Sequence, residues 1–296
     1  MLRVVLMVMM LGGVLGVSRN ASASEEADAP RVNSALVPVP QKPYERRHAE
    51  KVALVQKNRY DLLMIGDSIT DNFNDPAYGD IWRRFFASRN ALNLGYSGAR
   101  TENILWNLTH GELKGQSPKA VILLIGTNNA DDANYPTVNT AVEIFEGTAA
   151  IVNLLREKLP KTHILLLRIF PRQNVYLNPD GTEKGSVQQR LSTCLRAGEL
   201  VKSLADGEHV IYLDVNAVFL RSDGTIDPNL MPDLLHPSPA GALEWARVME
   251  PELSKIFDDK PHEVVASVPS SNREKLDDIG GRGVLDLATV GSTTGK

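Results

Sequence analysis

Four polar side chains of this 296-residue chain could together carry out nucleophilic chemistry: Ser68, Asn128, Asp233 and His236. Ser68 and Asn128 each come shortly after an apolar run that has the character of a buried strand, and the other two come late in the chain, just before a predicted helix. A hydroxyl, an amide, a carboxylate and an imidazole are sufficient to attack an ester carbonyl and to stabilise the oxyanion that forms.

The spacing of these residues suggests a role for each. A serine hydroxyl becomes an effective nucleophile when a base removes its proton, and the imidazole of His236 is suited to that task near neutral pH. Asp233 precedes His236 by three residues, so a single turn can place the carboxylate beside the ring and fix its tautomer. The N–H groups of Ser68 and Gly98 and the side-chain amide of Asn128 are candidate oxyanion donors.

Each residue also has an ordinary structural explanation. Ser68 alone could be a helix N-cap, and His236 alone could be a surface histidine before a helix. Asn128 could be a turn residue and Gly98 a loop glycine. Their joint occurrence beside predicted strands and helices favours the catalytic interpretation.

Alternating strands and helices predict an α/β fold with a five-stranded parallel sheet. In such a sheet ligands bind at the carboxyl ends of the strands, where Gly66, Gly95 and Gly126 allow sharp turns. In the predicted helix 138–158, the apolar residues Val142, Phe145, Ala149, Val152 and Leu155 recur at helical spacing. The predicted strands are Tyr60–Ile65, Ala91–Leu94, Ala120–Ile125, His163–Ile169 and Val210–Leu213, and the predicted helices are 43–58, 78–89, 101–110, 138–158, 186–205 and 239–257.

Four ordered blocks resemble those of the SGNH (GDSL-type) hydrolases. The blocks are Gly66-Asp67-Ser68, Gly98, Gly126-x-Asn128 and Asp233-x-x-His236. Their order and spacing fit that family across residues 60–257. The chain is similar in particular to the platelet-activating-factor acetylhydrolase catalytic-subunit type, in the segments Ile104–Leu113, Gly126–Asn129 and Phe219–Gly224.

The resemblance implies a flavodoxin-like three-layer α/β/α sandwich and catalysis without a metal or cofactor. It also implies that Ser68 is the nucleophile, His236 the base and Asp233 its orienting partner, with Ser68, Gly98 and Asn128 as oxyanion donors. Three further residues near the blocks are candidates for the pocket. Asp67 could serve the turn or support the site, and Arg100 and Asn129 could line the pocket or cap a helix.

The N-terminus has the pattern of a secretory signal. Arg3 precedes an apolar run from Val4 to Val17, and a small-x-small site follows at Ala21-Ser22-Ala23. An uncleaved anchor is the alternative, although the run is short for a bilayer span. We therefore expect export to the periplasm or the extracellular space. The expected divisions are a signal peptide at 1–23, an extended leader at 24–41, the hydrolase domain at 42–257 and a disordered tail at 258–296.

Composition excludes several other classes of protein. A net charge of -4 gives no electrostatic basis for binding nucleic acid or an anionic membrane. The single cysteine, Cys194, cannot form an intrachain disulfide and has the character of a core residue. The chain has neither CxxC nor HExxH, the usual sequence evidence for zinc.

The leading hypothesis is a secreted serine esterase that removes a short acyl group, acetyl above all, from a small substrate such as an acetylated saccharide. A lipid-directed esterase or lysophospholipase is the alternative within the same chemistry. A non-catalytic carbohydrate-binding protein could retain the fold without the reaction. A flavodoxin-like nucleotide binder is disfavoured because the loop after the first strand has one glycine and an acidic residue where a phosphate would bind.

Overall fold

A computed structural model describes residues 31–262 of the chain. The predicted signal peptide, residues 24–30 of the predicted leader and the tail beyond His262, including a possible weak strand or helix at 284–290, lie outside the described residues. None of the helices within 31–262 combines the length and the apolar character needed to cross a bilayer.

Five parallel strands form one sheet in the order β2-β1-β3-β4-β5. The strands are β1 Leu62–Gly66, β2 Ala91–Gly95, β3 Ala120–Leu124, β4 His163–Leu167 and β5 Val210–Leu213. All five predicted strands are confirmed to within two residues at each end. β2 lies on one side of β1, whereas β3, β4 and β5 follow on the other side, so the strand order changes direction at β1. At such a point a parallel sheet has a crevice for ligands at its carboxyl edge.

Helices cover both faces of the sheet, as the predicted three-layer architecture requires. The α-helices are α1 Glu45–Lys57, α2 Ser68–Asp71, α3 Gly79–Ile81, α4 Thr101–Asn107, α5 Ala141–Lys158, α6 Val187–Val201 and α7 Pro239–Phe257. Two π-helical segments, Trp82–Phe86 and Leu108–Glu112, extend α3 and α4. The 3-10 segments are Ser34–Leu36, Lys42–Tyr44, Asn72–Asn74, Pro76–Tyr78, Ala87–Arg89, Thr127–Ala130, Lys202–Leu204 and Asn216–Phe219.

Two hydrophobic cores lie on opposite faces of the sheet because successive strand residues point to opposite sides. In β1, Leu62 and Met64 belong to the core that includes Trp245 of α7. Leu63 and Ile65 belong to the core that includes α4 and α5. Both faces of the central strands are therefore apolar, which explains their continuous apolar runs in the sequence.

The packing face of α5 agrees only in part with the sequence prediction, because Val152 and Leu155 are buried as predicted but Val142 is not. Val142 is 55% exposed, whereas Gly147 and Thr148 are buried together with Ile144 and Ile151. A Cβ on Gly147 would lie 2.6 Å from the Thr101 hydroxyl oxygen, so only a small residue fits where this helix approaches α4. A rule based on large apolar residues cannot detect a helix face selected for close approach.

Both predicted domain boundaries fall within packed structure. Residues 33–41, expected to be leader, contact the domain: Ala35 is fully buried, and Val39 donates its N–H to the Glu102 carbonyl. At the other end, Asp259 pairs with the guanidinium of Arg89 at 2.7 Å. The ordered unit therefore extends beyond 42–257 in both directions.

Candidate active site

Ser68 is the first residue of α2, directly after β1. Asp67 is the N-cap of this helix, and its carboxylate accepts the N–H of Ile69 at 3.0 Å. A Cβ on Gly66 would lie 2.4 Å from the Leu124 carbonyl, so glycine is required where the chain turns from strand into helix. This tight turn places the Ser68 hydroxyl at the carboxyl edge of the sheet.

His236 and Asp233 meet Ser68 from the other end of the chain. The Ser68 Oγ lies 2.8 Å from His236 Nε2, and His236 Nδ1 lies 2.6 Å from Asp233 Oδ2. The structure thus brings these three predicted residues into one hydrogen-bonded chain. Because an ionised carboxylate can only accept, the contact with Asp233 favours the tautomer that carries its proton on Nδ1 and leaves Nε2 to accept the serine proton.

The loop that carries Asp233 and His236 is fixed by its own hydrogen bonds. The second carboxylate oxygen, Asp233 Oδ1, accepts the N–H groups of Leu235 and His236 at 3.0 and 2.7 Å. Leu234 between them has a φ of 58°, a left-handed conformation that is unfavourable for a leucine. The two hydrogen bonds to Asp233 hold the backbone in this conformation although it is unfavourable for a leucine. Strained residues of this kind cluster at functional sites.

The carboxyl of Asp233 remains ionised over the working range of most enzymes. Partial burial raises its pKa, but hydrogen bonds from the ring and the N–H of His236 outweigh burial and lower the pKa to about 2. Half of the side chain is still exposed to solvent, with a relative accessibility of 54%. The carboxylate can therefore orient the imidazole, while solvent moderates the strength of the pair.

The three predicted oxyanion donors border the same cavity as Ser68 and His236. Within residues 31–262, neither the Ser68 N–H nor the Gly98 N–H has a hydrogen-bond acceptor. The Asn128 amide donates one hydrogen to the Ala99 carbonyl at 2.9 Å, which leaves its second hydrogen for another acceptor. Three donor hydrogens without a described acceptor thus belong to residues that line the cavity beside Ser68, as a predicted oxyanion site requires.

The cavity has a volume of about 560 Å³ and is lined mainly by residues that carry polar groups, although their apolar atoms also contribute to the wall. Its lining residues are Ser68, Asn72, Ser97, Gly98, Asn128, Asp131, Asn134, Tyr135, Tyr176, Leu235 and His236. Seven of these were not predicted: Asn72, Ser97, Asp131, Asn134, Tyr135, Tyr176 and Leu235. Four of the seven lie in the loops that follow β3 and β4, so position after a strand at the carboxyl edge is a sequence signal for these loops, but not for which of their residues reach the cavity.

The wall beyond β3 is held by buried charged groups. Arg172 is fully buried; its guanidinium lies 3.4 Å from Asp131 Oδ2 and donates to the Thr127 carbonyl at 2.9 Å. Burial raises the pKa of Asp131, but the hydrogen bond from Asn134 and the charge of Arg172 outweigh it and leave the pKa below its ordinary value. Asp131 is therefore a fixed negative charge at the edge of the cavity.

The three additional pocket candidates do not line the cavity. Asn129 is fully buried and donates to Thr101, Glu102 and Asn139. Arg100 is buried, pairs with Glu102 at 3.0 Å and lies over the ring of Tyr135. Asp67 caps α2, which agrees with the predicted role in the turn, and burial raises its pKa to about 6. These residues support the walls rather than contact the open space.

Comparisons with known proteins agree with this arrangement. Residues 64–243 match the model of the GDSL-like Lipase/Acylhydrolase family. Platelet-activating factor acetylhydrolase IB subunit alpha2 from Rattus norvegicus is 30% identical over 204 residues, which cover 69% of this chain and 80% of the relative.

Two solved structures share the fold. One is a Streptococcus pneumonia protein named after platelet activating factor, with a TM-score of 0.57, 24% identity, and coverage of 72% of this chain and 93% of that one. The other is Est24, a carbohydrate acetylesterase from Sinorhizobium meliloti, with a TM-score of 0.51, 17% identity, and coverage of 67% and 100%. On these grounds the chain belongs to the GDSL-like (SGNH) lipase/acylhydrolase family and is a carboxylic ester hydrolase.

Proposed function

We propose that the chain is an exported serine esterase that removes acetyl groups from a saccharide. The observation that carries the proposal is the hydrogen-bonded series Ser68, His236 and Asp233 beside a cavity lined mainly by residues with polar groups. The secretory pattern at 1–23 supports export.

In the proposed mechanism Ser68 attacks the ester carbonyl. As the bond from Oγ to carbon forms, the hydroxyl proton passes to His236 Nε2, and the negative charge on the carbonyl oxygen is stabilised by donors at Ser68, Gly98 and Asn128. When the tetrahedral intermediate collapses, the carbon–oxygen bond to the alcohol breaks and His236 returns the proton to the leaving oxygen. This step leaves an acetyl group on Ser68.

Water completes the cycle by the same route. His236 takes a proton from water as the water oxygen attacks the acetyl-enzyme, and it returns that proton to Ser68 Oγ as acetate leaves. Asp233 keeps the imidazole in the correct orientation in both halves. Because the acetyl group is carried on the Ser68 oxygen between the two steps, loss of that hydroxyl should abolish the covalent pathway.

The cavity wall supports a saccharide as the alcohol portion. Carboxylate, amide and hydroxyl groups at Asp131, Asn134 and Asn72 can hydrogen-bond to sugar hydroxyls, and the rings of Tyr135 and Tyr176 offer aromatic surface for a sugar face. The shared fold with Est24 agrees with this choice.

An acetylhydrolase of the platelet-activating factor type is the second candidate. It is favoured by the 30% identity to the rat acetylhydrolase subunit. The two candidates share the acetyl group and differ in the alcohol, so release of acetate from acetylated polysaccharides and from acetylated lipids separates them. Preference for the lipid panel would overturn the saccharide proposal and leave the catalytic residues in place.

The test of the catalytic residues is turnover of p-nitrophenyl acetate by Ser68→Ala. We expect the rate to fall by several orders of magnitude, because the covalent route requires the hydroxyl. Ser192→Ala is the matched control, since that hydroxyl lies on α6 and does not line the cavity. A Ser68→Ala protein with the wild-type rate would refute the proposal.

A further inference from the structure

The Ser97–Gly98 peptide is the central peptide of a turn that borders the proposed oxyanion site. Residues Tyr96–Ala99 form a β-turn, closed by a hydrogen bond from the Ala99 N–H to the Tyr96 carbonyl at 2.9 Å. Gly98 has a φ of 74° while Ser97 does not have a positive φ, which is the type II arrangement. Types I and II differ by a flip of the central peptide, and a glycine at this position tolerates both.

The orientation of that central peptide decides whether the Gly98 N–H faces the cavity. The peptide is planar and trans, so its carbonyl and its N–H point in opposite directions. Any group that holds the Ser97 carbonyl therefore also aims the Gly98 N–H. Within residues 31–262 this N–H has no hydrogen-bond acceptor that could hold it directly.

Gln41 holds the Ser97 carbonyl. Its side-chain Nε2 donates to Ser97 O at 2.8 Å across 56 residues of sequence. The side chain comes from the segment before α1, within the stretch that composition alone assigns to the leader. Its other amide atom, Oε1, is buried and has no hydrogen-bond partner in the described part of the chain, so the contact with Ser97 is the polar function of this side chain.

The neighbouring groups of the turn are held as well. Asp71 Oδ2 accepts the Ser97 N–H at 3.3 Å and the Ser97 hydroxyl at 3.0 Å, and the Tyr135 hydroxyl donates to the Gly98 carbonyl at 2.7 Å. These bonds fix the flanking peptides but leave the central one free to rotate. Gln41 supplies the bond that opposes this flip.

We propose that Gln41 is a positioning residue, which holds the Ser97 carbonyl so that the Gly98 N–H is presented to the oxyanion. The inference rests on the proposed function of the site. It also assigns a catalytic contribution to residue 41, outside the predicted boundary of the hydrolase domain.

The first test replaces Gln41 by methionine, which has similar length and no donor. We expect kcat for p-nitrophenyl acetate to fall about 3- to 15-fold, the worth of one neutral hydrogen bond, and KM to change less than about twofold. Affinity for a boronic acid, which binds serine as a tetrahedral anion, should fall in parallel with kcat. A merely structural role would not link these two quantities.

Asn33→Ala is the matched control. Asn33 also joins the N-terminal segment to the domain, through its bond to the Glu143 carbonyl at 3.2 Å, but it does not contact the turn. This variant should keep the wild-type kcat and boronic acid affinity. An equal loss in Asn33→Ala and Gln41→Met would overturn the proposal, as would a Gln41→Met protein with unchanged kcat.

A second variant, Gln41→Glu, gives a test within a single protein. The introduced carboxylate cannot donate to the Ser97 carbonyl, but the protonated carboxyl can. The ratio of its kcat to that of the wild type should therefore rise as the pH is lowered from 8 to 5. A ratio that stays constant over this range contradicts the proposal. If Ser68→Ala keeps its activity, the proposed function fails; if only the Gln41 variants behave as wild type, this inference alone fails.

Discussion

The buried carboxyl of Asp67 makes the stability of the protein depend on pH in an unusual direction. The residue is 1% exposed, and burial raises its pKa from 3.8 to about 6, although bonds from the backbone and the charges of His236 and Arg172 oppose that rise. Between pH 4 and 6 the folded protein keeps a proton here that the unfolded chain has lost. Stability contributed by this group is therefore complete below pH 4 and decreases as the pH rises to 6.

Substitution of Asp67 by asparagine should remove this dependence. Asparagine is an equally good N-cap, so the bond from the Ile69 N–H is retained while the ionisation is lost. A rise in pKa from 3.8 to about 6 corresponds to about 3 kcal/mol of unfolding free energy. Asp67→Asn should match the wild type near pH 4 and exceed it by up to about 3 kcal/mol above pH 7.

Urea unfolding at a series of pH values measures this difference. Asp206→Asn is a control of opposite sign, because Asp206 is exposed and three backbone N–H groups, led by that of Val210, lower its pKa. Stability from that carboxylate is present above pH 4 and is lost as the pH falls. The reasoning about Asp67 would be refuted if Asp67→Asn were less stable than the wild type at pH 8, or if their difference did not vary with pH.

Three further predictions concern the catalytic groups and the backbone near them. Asn128→Ala should lower kcat by about 10²- to 10³-fold with little change in KM, as expected for loss of an oxyanion donor, and steady-state kinetics would contradict this by an effect on KM alone. Asp233→Asn should lower kcat by about 10⁴-fold because an amide nitrogen facing the ring favours the wrong tautomer; a rate within threefold of the wild type would refute that role. Gly126→Ala should reduce unfolding free energy by about 1–3 kcal/mol, because φ is 122° and the new Cβ would lie 2.8 Å from Ile144 Cγ2. Thermal unfolding at an unchanged temperature would contradict it.

The sheet was predictable because its physical signal is local. A strand that is buried on both faces must be apolar at every position, so runs such as Leu62–Ile65 and Ala120–Leu124 appear directly in the sequence. The turns after them require glycine, and the polar residues that follow are placed at the carboxyl edge. Prediction of Cys194 as a core residue is also confirmed, since its side chain is fully buried.

Features that depend on distant contacts were not predictable in this way. Nothing local indicates that Arg172 is buried, because a guanidinium is normally exposed until a partner such as Asp131 is placed beside it. The same applies to Tyr135 and Tyr176, whose loops reach the cavity only through tertiary packing. The distant half of the cavity therefore appears only in the folded structure.

The contacts made by residues outside the predicted domain boundaries were not predictable for a related reason. Proline and small residues gave the segment before residue 42 the composition of a linker, yet Ala35 and Gln41 contact the domain. Composition reports whether a segment can form regular structure, and it does not report whether a neighbouring surface has a place for that segment. The same holds for Asp259, which the guanidinium of Arg89 binds just beyond the last helix.

Labelling with a serine-reactive phosphonate shows whether Ser68 is the activated nucleophile. The reagent forms a bond to an activated serine oxygen and occupies the oxyanion site, so it reports both the nucleophile and its surroundings. We expect one label per chain, located by peptide mapping at Ser68, lost in Ser68→Ala and much slower in His236→Ala. Labelling at a different residue, or no labelling of a folded protein that still hydrolyses esters, would contradict it.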